Sequence, residues 1–125
     1  MIEPTQEMLA ELIALADGAE DGEFVMLNLN RYRDRDAYQV YAAVAAEVLG
    51  EVGGSIDWYT PAVGTVVGEP GERWDEVIAV RYPNIGAFLK LAMDPRIAEV
   101  REVRAAGLEA ATLVRCTNPP APVTT

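Results

Sequence analysis

An α+β fold with one antiparallel sheet is predicted by three features of this 125-residue chain. It has short alternating apolar runs, longer segments with apolar residues three and four apart, and Gly/Pro/Asp punctuation between them. Pro4-Thr5 opens an amphipathic stretch with Met8, Leu9, Leu12, Ile13 and Leu15 at helical spacing, and Gly18 stands where a left-handed cap belongs, so a helix is expected over about 5–17. Glu20-Asp21-Gly22 reads as a turn. Phe24 to Leu29 then alternates as a strand. Val25, Leu27 and Leu29 are expected to pack on helices, which leaves Met26 and Asn28 for the opposite face.

Asp36 is expected to start the second helix, with Gln39 three residues on in the manner of a capping box. Ala37, Tyr41, Val44, Val48 and Val52 give that helix a buried stripe, widened by Tyr38, Ala45 and Leu49, and Gly53-Gly54 ends it. Ser55 to Val67 reads as a long, irregular strand in which Pro61 marks an edge, bend or bulge. A turn over Glu69–Arg73 leads into a strand from Trp74 to Tyr82, with Ile78, Val80 and Tyr82 opposite Val77, Ala79 and Arg81. Pro83-Asn84 caps a helix carrying Ile85, Phe88, Leu89 and Ala92, and Asp94-Pro95 restarts it toward Gly107. Ala111 to Cys116 is the last strand, and the proline-rich tail, about 117–125, is expected to be flexible.

After the first helix the order is strand, helix, strand, strand, helix, strand, the βαββαβ pattern of the ferredoxin-like fold. The length fits a single domain over 1–125 with its core at about 23–116. Both helices on one face leave the other bare, and a second copy of the chain is expected to cover it. The result would be a homodimer whose two sheets close toward a barrel, with the space between sheet and partner as the first candidate pocket.

Twenty acidic against ten basic residues give a net charge of −10, which argues against nucleic-acid and anionic-membrane surfaces. No apolar run approaches the ~20 residues of a membrane span, and no leader pattern opens the chain, so cytoplasmic residence is expected. The lone Cys116 and the absence of histidine remove an internal disulfide, a Cys/His pair and an imidazole ligand, and neither a metal nor a cofactor is expected. No phosphate loop, dinucleotide fingerprint, zinc spacing or calcium loop is present.

The stretch Asn28-Leu29-Asn30-Arg31-Tyr32-Arg33 joins an apolar strand to an Asn/Arg/Tyr cluster and marks the pocket wall. Asn28, pointing to the bare side, can hold a carbonyl or enolate oxygen; the blander reading is an amide bonded to a loop. Arg81 on the bare face needs a bound anion or an acidic partner, and Asp75 shares its face; Arg31 meets ligand, partner or water. Trp58 and Trp74 either stack on a flat ligand or fill core and dimer seam. Without histidine, proton transfer falls to a tyrosine or a buried carboxyl, here Tyr41 or Asp75, whereas Glu76 and Cys116 read as a solvated acid and an inert thiol.

The motifs Met26-Leu27-Asn28-Leu29-Asn30-Arg31-Tyr32-Arg33, Tyr38-x-x-Tyr41-Ala-Ala, Val52-Gly53-Gly54, Trp74-Asp75-Glu76-Val77 and Val80-Arg81-Tyr82-Pro83 run in order. Phe88-Leu89, Met93-Asp94-Pro95 and Arg104-Ala-Ala-Gly107-Leu108 continue the run. Together they resemble the bacterial domain-of-unknown-function family numbered thirteen-thirty, from about Phe24 to Arg115. That resemblance implies a dimeric α+β barrel, in a superfamily that includes polyketide cyclases, muconolactone isomerases, cofactor-free monooxygenases, haem-degrading oxygenases and chlorite dismutases. The haem degraders use an Asn, a Trp and an axial His; Asn28 and a Trp are present here, the His is not. Fold does not choose among such activities. The expectation is a small organic ligand with a carbonyl or carboxylate, bound by Asn28, Arg31, Trp58, Trp74 and Arg81, and cyclised, isomerised or cleaved without a cofactor. A cleft between sheet and helices is a second possible place for it, and a non-catalytic binding or dimerisation module is the rival.

Overall fold

The computed structural model describes residues 3–18 and 22–117. Along them run α1 (Gln6–Ala16), β1 (Phe24–Tyr32), α2 (Arg35–Glu51), β2 (Ser55–Pro61), β3 (Glu76–Tyr82), α3 (Ile85–Ala92), α4 (Pro95–Glu99), α5 (Arg101–Gly107) and β4 (Leu108–Thr117). The four strands form one sheet in the order β2-β3-β1-β4, antiparallel throughout. This is the ferredoxin-like βαββαβ arrangement, its second helix broken into α3, α4 and α5 and preceded by the additional α1. The expected turn residues Glu20-Asp21 and the tail beyond Thr117 lie outside the described residues.

Caps explain where the helices begin. Thr5 accepts the Met8 N–H at 3.1 Å, Asn84 the Ala87 N–H at 2.8 Å and Asp94 the Arg96 N–H at 2.8 Å, each filling one orphan donor of a first turn. Helix α2 starts earlier than its capping-box pattern predicts: Asp34, not Asp36, is the cap, accepting from Ala37 N at 3.2 Å. Pro95 at the first helical position of α4 fixes the break after Met93.

Phe24 and Met26 of β1 and Val80 and Tyr82 of β3 are buried with Val48 and Leu49 of α2, Ile85, Ala87 and Leu91 of α3, and Ile97 of α4. Phe24 stacks on Tyr82 and Phe88 meets Tyr82 at a tilt, with ring centroids 5.4 Å apart in each pair. The helix-facing side of β1 is therefore Phe24, Met26, Asn28 and Asn30, which reverses the predicted parity. Both faces of β1 are apolar, so alternation alone could not say which meets the helices. The β3 assignment holds, with Ile78, Val80 and Tyr82 on the helix side and Val77, Ala79 and Arg81 on the other.

Strand β2 ends at Pro61 rather than Val67, and β3 begins at Glu76 rather than Trp74. An extra residue interrupts each edge pairing: Asp57 between Ile56↔Val80 and Trp58↔Ala79, and Glu109 between Arg31↔Ala110 and Tyr32↔Leu108. Both extra residues are acids that hold arginines, Asp57 on Arg81 and Glu109 near Arg31 and Arg73. At Gly107 a Cβ would lie 2.6 Å from Tyr38 N and 2.9 Å from Asp34 O, so only glycine permits the end of α5 to meet the start of α2. The Gly107 carbonyl then accepts both Arg33 N and Asp34 N, at 2.9 and 3.2 Å.

Candidate functional site

The end of β1 turns two polar side chains into the helix layer. Asn30 is 2% exposed, and its Nδ2 donates to Tyr38 Oη on α2 at 3.2 Å and, at a longer 3.4 Å, to Tyr32 Oη. Its register partner Glu76, the first residue of β3, is only 5% exposed. Tyr32 Oη donates to Glu76 Oε1 at 2.5 Å and Arg35 Nη2 donates to Oε2 at 2.7 Å, so the carboxylate is satisfied from two sides. Glu76 was expected at the solvent; it is buried because β1 and α2 bring it a phenol and a guanidinium. Half-exposed Arg35 lies 4.9 Å from the Tyr32 ring centroid, and the Tyr32, Tyr38 and Tyr41 rings continue inward at 5.0 and 5.5 Å.

The buried phenols are held in their protonated form. Burial, and next the Glu76 hydrogen bond, pushes the Tyr32 hydroxyl well above the ordinary phenol range. Burial also raises the Tyr38 hydroxyl, with neighbouring Tyr41 adding to it, and the Tyr41 hydroxyl, against the pull of Arg104. Arg104 lies 5.4 Å from the Tyr41 ring centroid and pairs with Glu3 at 3.5 Å. Asn28 shares the helix-facing side of β1 with Asn30, paired to Ile78 and Leu113, and its Oδ1 is buried without a hydrogen-bond partner.

The remaining sequence candidates stand apart from this cluster. Arg81 is on the open face as expected, but Nε and Nη2 grip Asp57 at 3.0 and 2.6 Å and Nη1 meets Glu23 at 2.5 Å. Asp75 does not approach it; its Oδ2 accepts Tyr32 N–H at 2.8 Å, its own N–H bonds Asn30 O at 2.8 Å, and Oδ1 faces Arg73 at 3.6 Å. Arg31 ties down the loop after β2 through Gly71 O at 2.6 Å and Arg73 O at 3.3 Å, and lies 5.9 Å from the Trp74 ring centroid. Trp58 is half-exposed beside Ala79 on the open face. Asn28 and Tyr41 therefore lie on the helix side, Arg31, Arg81 and Trp58 on the open side, and Trp74 and Asp75 line a hollow of about 430 Å³ inside the loop 62–75.

Sequence reasoning missed Asn30, Tyr32, Arg35 and Glu76. The signal available was the i, i+2 pair Asn30/Tyr32 on one strand face followed by Arg35, but no pattern pointed from them to Glu76, more than 40 residues away. Among the described residues no group of three or more Cys, Asp or Glu is gathered to hold a metal ion, and no helix is long and apolar enough to cross a membrane.

The chain is similar to several solved structures. RPA0582, a protein of unknown function from Rhodopseudomonas palustris, is 30% identical over 97% of this chain and 98% of its own, with a TM-score of 0.86. The chain belongs to the family of RPA0582. Two more distant members of the fold are a hydroxynitrile lyase from Passiflora edulis and a dimeric ferredoxin-like protein of unknown function from Thermobifida fusca. The lyase is 12% identical with a TM-score of 0.58, over 82% of this chain and 99% of its own. The second is 14% identical with a TM-score of 0.50, over 78% and 92%. At those identities the likeness is one of fold. No family model matches the chain, and no curated protein does.

Proposed function

We propose that this member of the RPA0582 family is a homodimeric enzyme that binds a small organic carbonyl compound between sheet and helices and moves a proton within it. Glu76 carries this reading: a carboxylate buried at the sheet's end and held by the Tyr32 phenol and the Arg35 guanidinium is a costly arrangement that folding alone does not need. Tyr32, bonded to Glu76, can pass a ligand proton to the carboxylate and return it. Tyr38 accepts from Asn30 and so keeps its own proton to donate to the oxygen on which charge builds. Isomerisation and cyclisation of a carbonyl compound use such an enolate-like state, and a lyase step needs a comparable proton transfer; a hydroxynitrile lyase shares the fold.

Asp75 and Tyr41 take supporting parts in this scheme, Asp75 by fixing the Tyr32 backbone and Tyr41 by walling the cluster. The open face, with Val25, Leu27, Leu29, Val77, Trp58 and Val114, is the proposed dimer surface, supported by its apolar character. The motif order supports a place near the thirteen-thirty family, and the lone Cys116 a cytoplasmic one. The non-catalytic module has one observation in its favour, the pairing of Arg81 and Arg31 with groups of the chain itself.

A thermal-shift screen of small carbonyl compounds tests the proposal, because a ligand selective for the folded state raises the melting point. Hits should lose their effect in Glu76→Gln and Tyr38→Phe. Hits that stabilise both variants as they do the native chain remove the cluster from the site.

A further inference from the structure

We infer that the group of polar side chains around Asn28, Asn30 and Tyr38 takes an uncharged, hydroxyl-bearing ligand and discriminates against the corresponding carboxylate; this rests on the site proposed above. Arg35, Arg104, Arg81 and Arg31 could have served an anion, and all have partners within the chain, although Arg31 Nε, 3.6 Å from Glu109, makes no hydrogen bond. Arg35 is bonded to Glu76 and Arg104 is paired with Glu3, so an incoming carboxylate would compete with an acid already seated. Arg81 and Arg31 are on the other side of the sheet, held by Asp57 and Glu23 and by the Gly71 and Arg73 carbonyls. The chain's net charge of −10 adds a long-range repulsion of anions.

Beside the Glu76–Arg35 pair, the groups left to meet a ligand are neutral. Asn28 Oδ1 is a buried acceptor with no donor, so the group that satisfies it must bring an O–H or N–H. Tyr38 Oη, tethered by Asn30, has a proton to give. Asn28 and Asn30 stand on one strand face two residues apart, about 7 Å, a separation that a small molecule spans with a hydroxyl at one end and a carbonyl or second hydroxyl at the other. A carboxylate presents two acceptors to Asn28 Oδ1 and no proton. The range of possible ligands thus narrows from carbonyl or carboxylate compounds to hydroxylated neutral ones.

The test uses the full chain labelled with ¹⁵N and a panel of small aromatic and aliphatic hydroxyl compounds, each paired with its carboxylate analogue, such as 4-hydroxybenzyl alcohol with 4-hydroxybenzoate. Side-chain amide signals of Asn28 and Asn30 are followed in titrations at neutral pH. Neutral members of the panel should move both signals and bind at least about ten-fold more tightly than their carboxylates, and Asn28→Ala should weaken them by a similar factor. Carboxylates that move the same signals with equal or greater affinity overturn the charge inference while keeping the site. If no compound moves either signal, the site falls, and this inference with it.

Discussion

Replacing Tyr32 with Phe isolates the buried Glu76 interaction with almost no change of shape. The substitution deletes a hydroxyl that donates to Glu76 Oε1 at 2.5 Å and accepts from Asn30 Nδ2 at 3.4 Å. Asn30 keeps its 3.2 Å bond to Tyr38, so the longer contact adds little. Glu76 keeps Arg35 on Oε2, but Oε1 is left without this donor in a residue that is 5% exposed. A hydrogen bond to a charged group contributes about 1.5–3 kcal/mol, which puts the expected loss near ~2 kcal/mol. With an unfolding entropy of about 0.26 kcal/mol/K for a chain of this length, the midpoint should fall by about 8 °C. Urea and thermal melts of Tyr32→Phe, Glu76→Gln and the double variant form a cycle, and the two losses should be strongly non-additive. A single-variant loss below about 0.5 kcal/mol, the level of an ordinary surface change, would refute the burial of this pair. The pH dependence follows the same geometry. Because Tyr32 is protonated in the fold to higher pH than in the unfolded chain, its contribution is complete below about pH 10 and declines as pH rises from there toward its folded value. Tyr32→Phe should remove that part of the alkaline loss.

Gly107→Ala should cost roughly 1–3 kcal/mol in chemical denaturation, since the new methyl meets Tyr38 N, Asp34 O and Tyr38 Cα, all backbone; a neutral result would mean that α5 and α2 do not touch there. On the acid side, Arg96 holds the Asp94 and Glu51 carboxyls below their usual range, so their contribution is present above about pH 4 and disappears as pH falls through the lowered values. Arg96→Met should flatten the stability-versus-pH curve over that window, and an unchanged curve would dismiss the ion cluster as a stabilising device. Leu27→Asp on the open face should convert a dimer to a monomer by light scattering while the circular dichroism spectrum is retained; a native chain that is already monomeric would dispose of the proposed interface.

Element order was readable because its cues are local. Capping residues Thr5, Asn84 and Asp94 announce three helix starts, and Pro61 and Pro95 stop or restart what precedes them. The facing of β1 was not local. Val25, Leu27 and Leu29 are as apolar as Phe24 and Met26, and the choice between them is made by α2 and α3 packing on the latter. The candidate site was harder still, because it inverts the usual expectation that acids stay in water. Asn30 and Glu76 are polar residues at interior positions, and each is tolerable only through partners from distant segments, Tyr38 for one and Tyr32 with Arg35 for the other. Asp75 illustrates the opposite error: its place beside β3 invited pairing with Arg81, but the bulged end of β1 left the Tyr32 N–H in need of an acceptor nearer by.

The extra residue in β2 bears on how the protein behaves at high concentration. Every residue of this outer strand is exposed, Val66 just beyond it is 98% exposed, and Val63 and Val67 are similarly bare. A flat ribbon of that composition would recruit further ribbons into fibrils. Asp57 breaks its regularity and brings a charge clamped to Arg81, and Pro61 withholds a donor at its end. Deleting Asp57 would straighten the ribbon and remove its charge together, leaving a chain prone to precipitate from solutions in which the intact one stays clear.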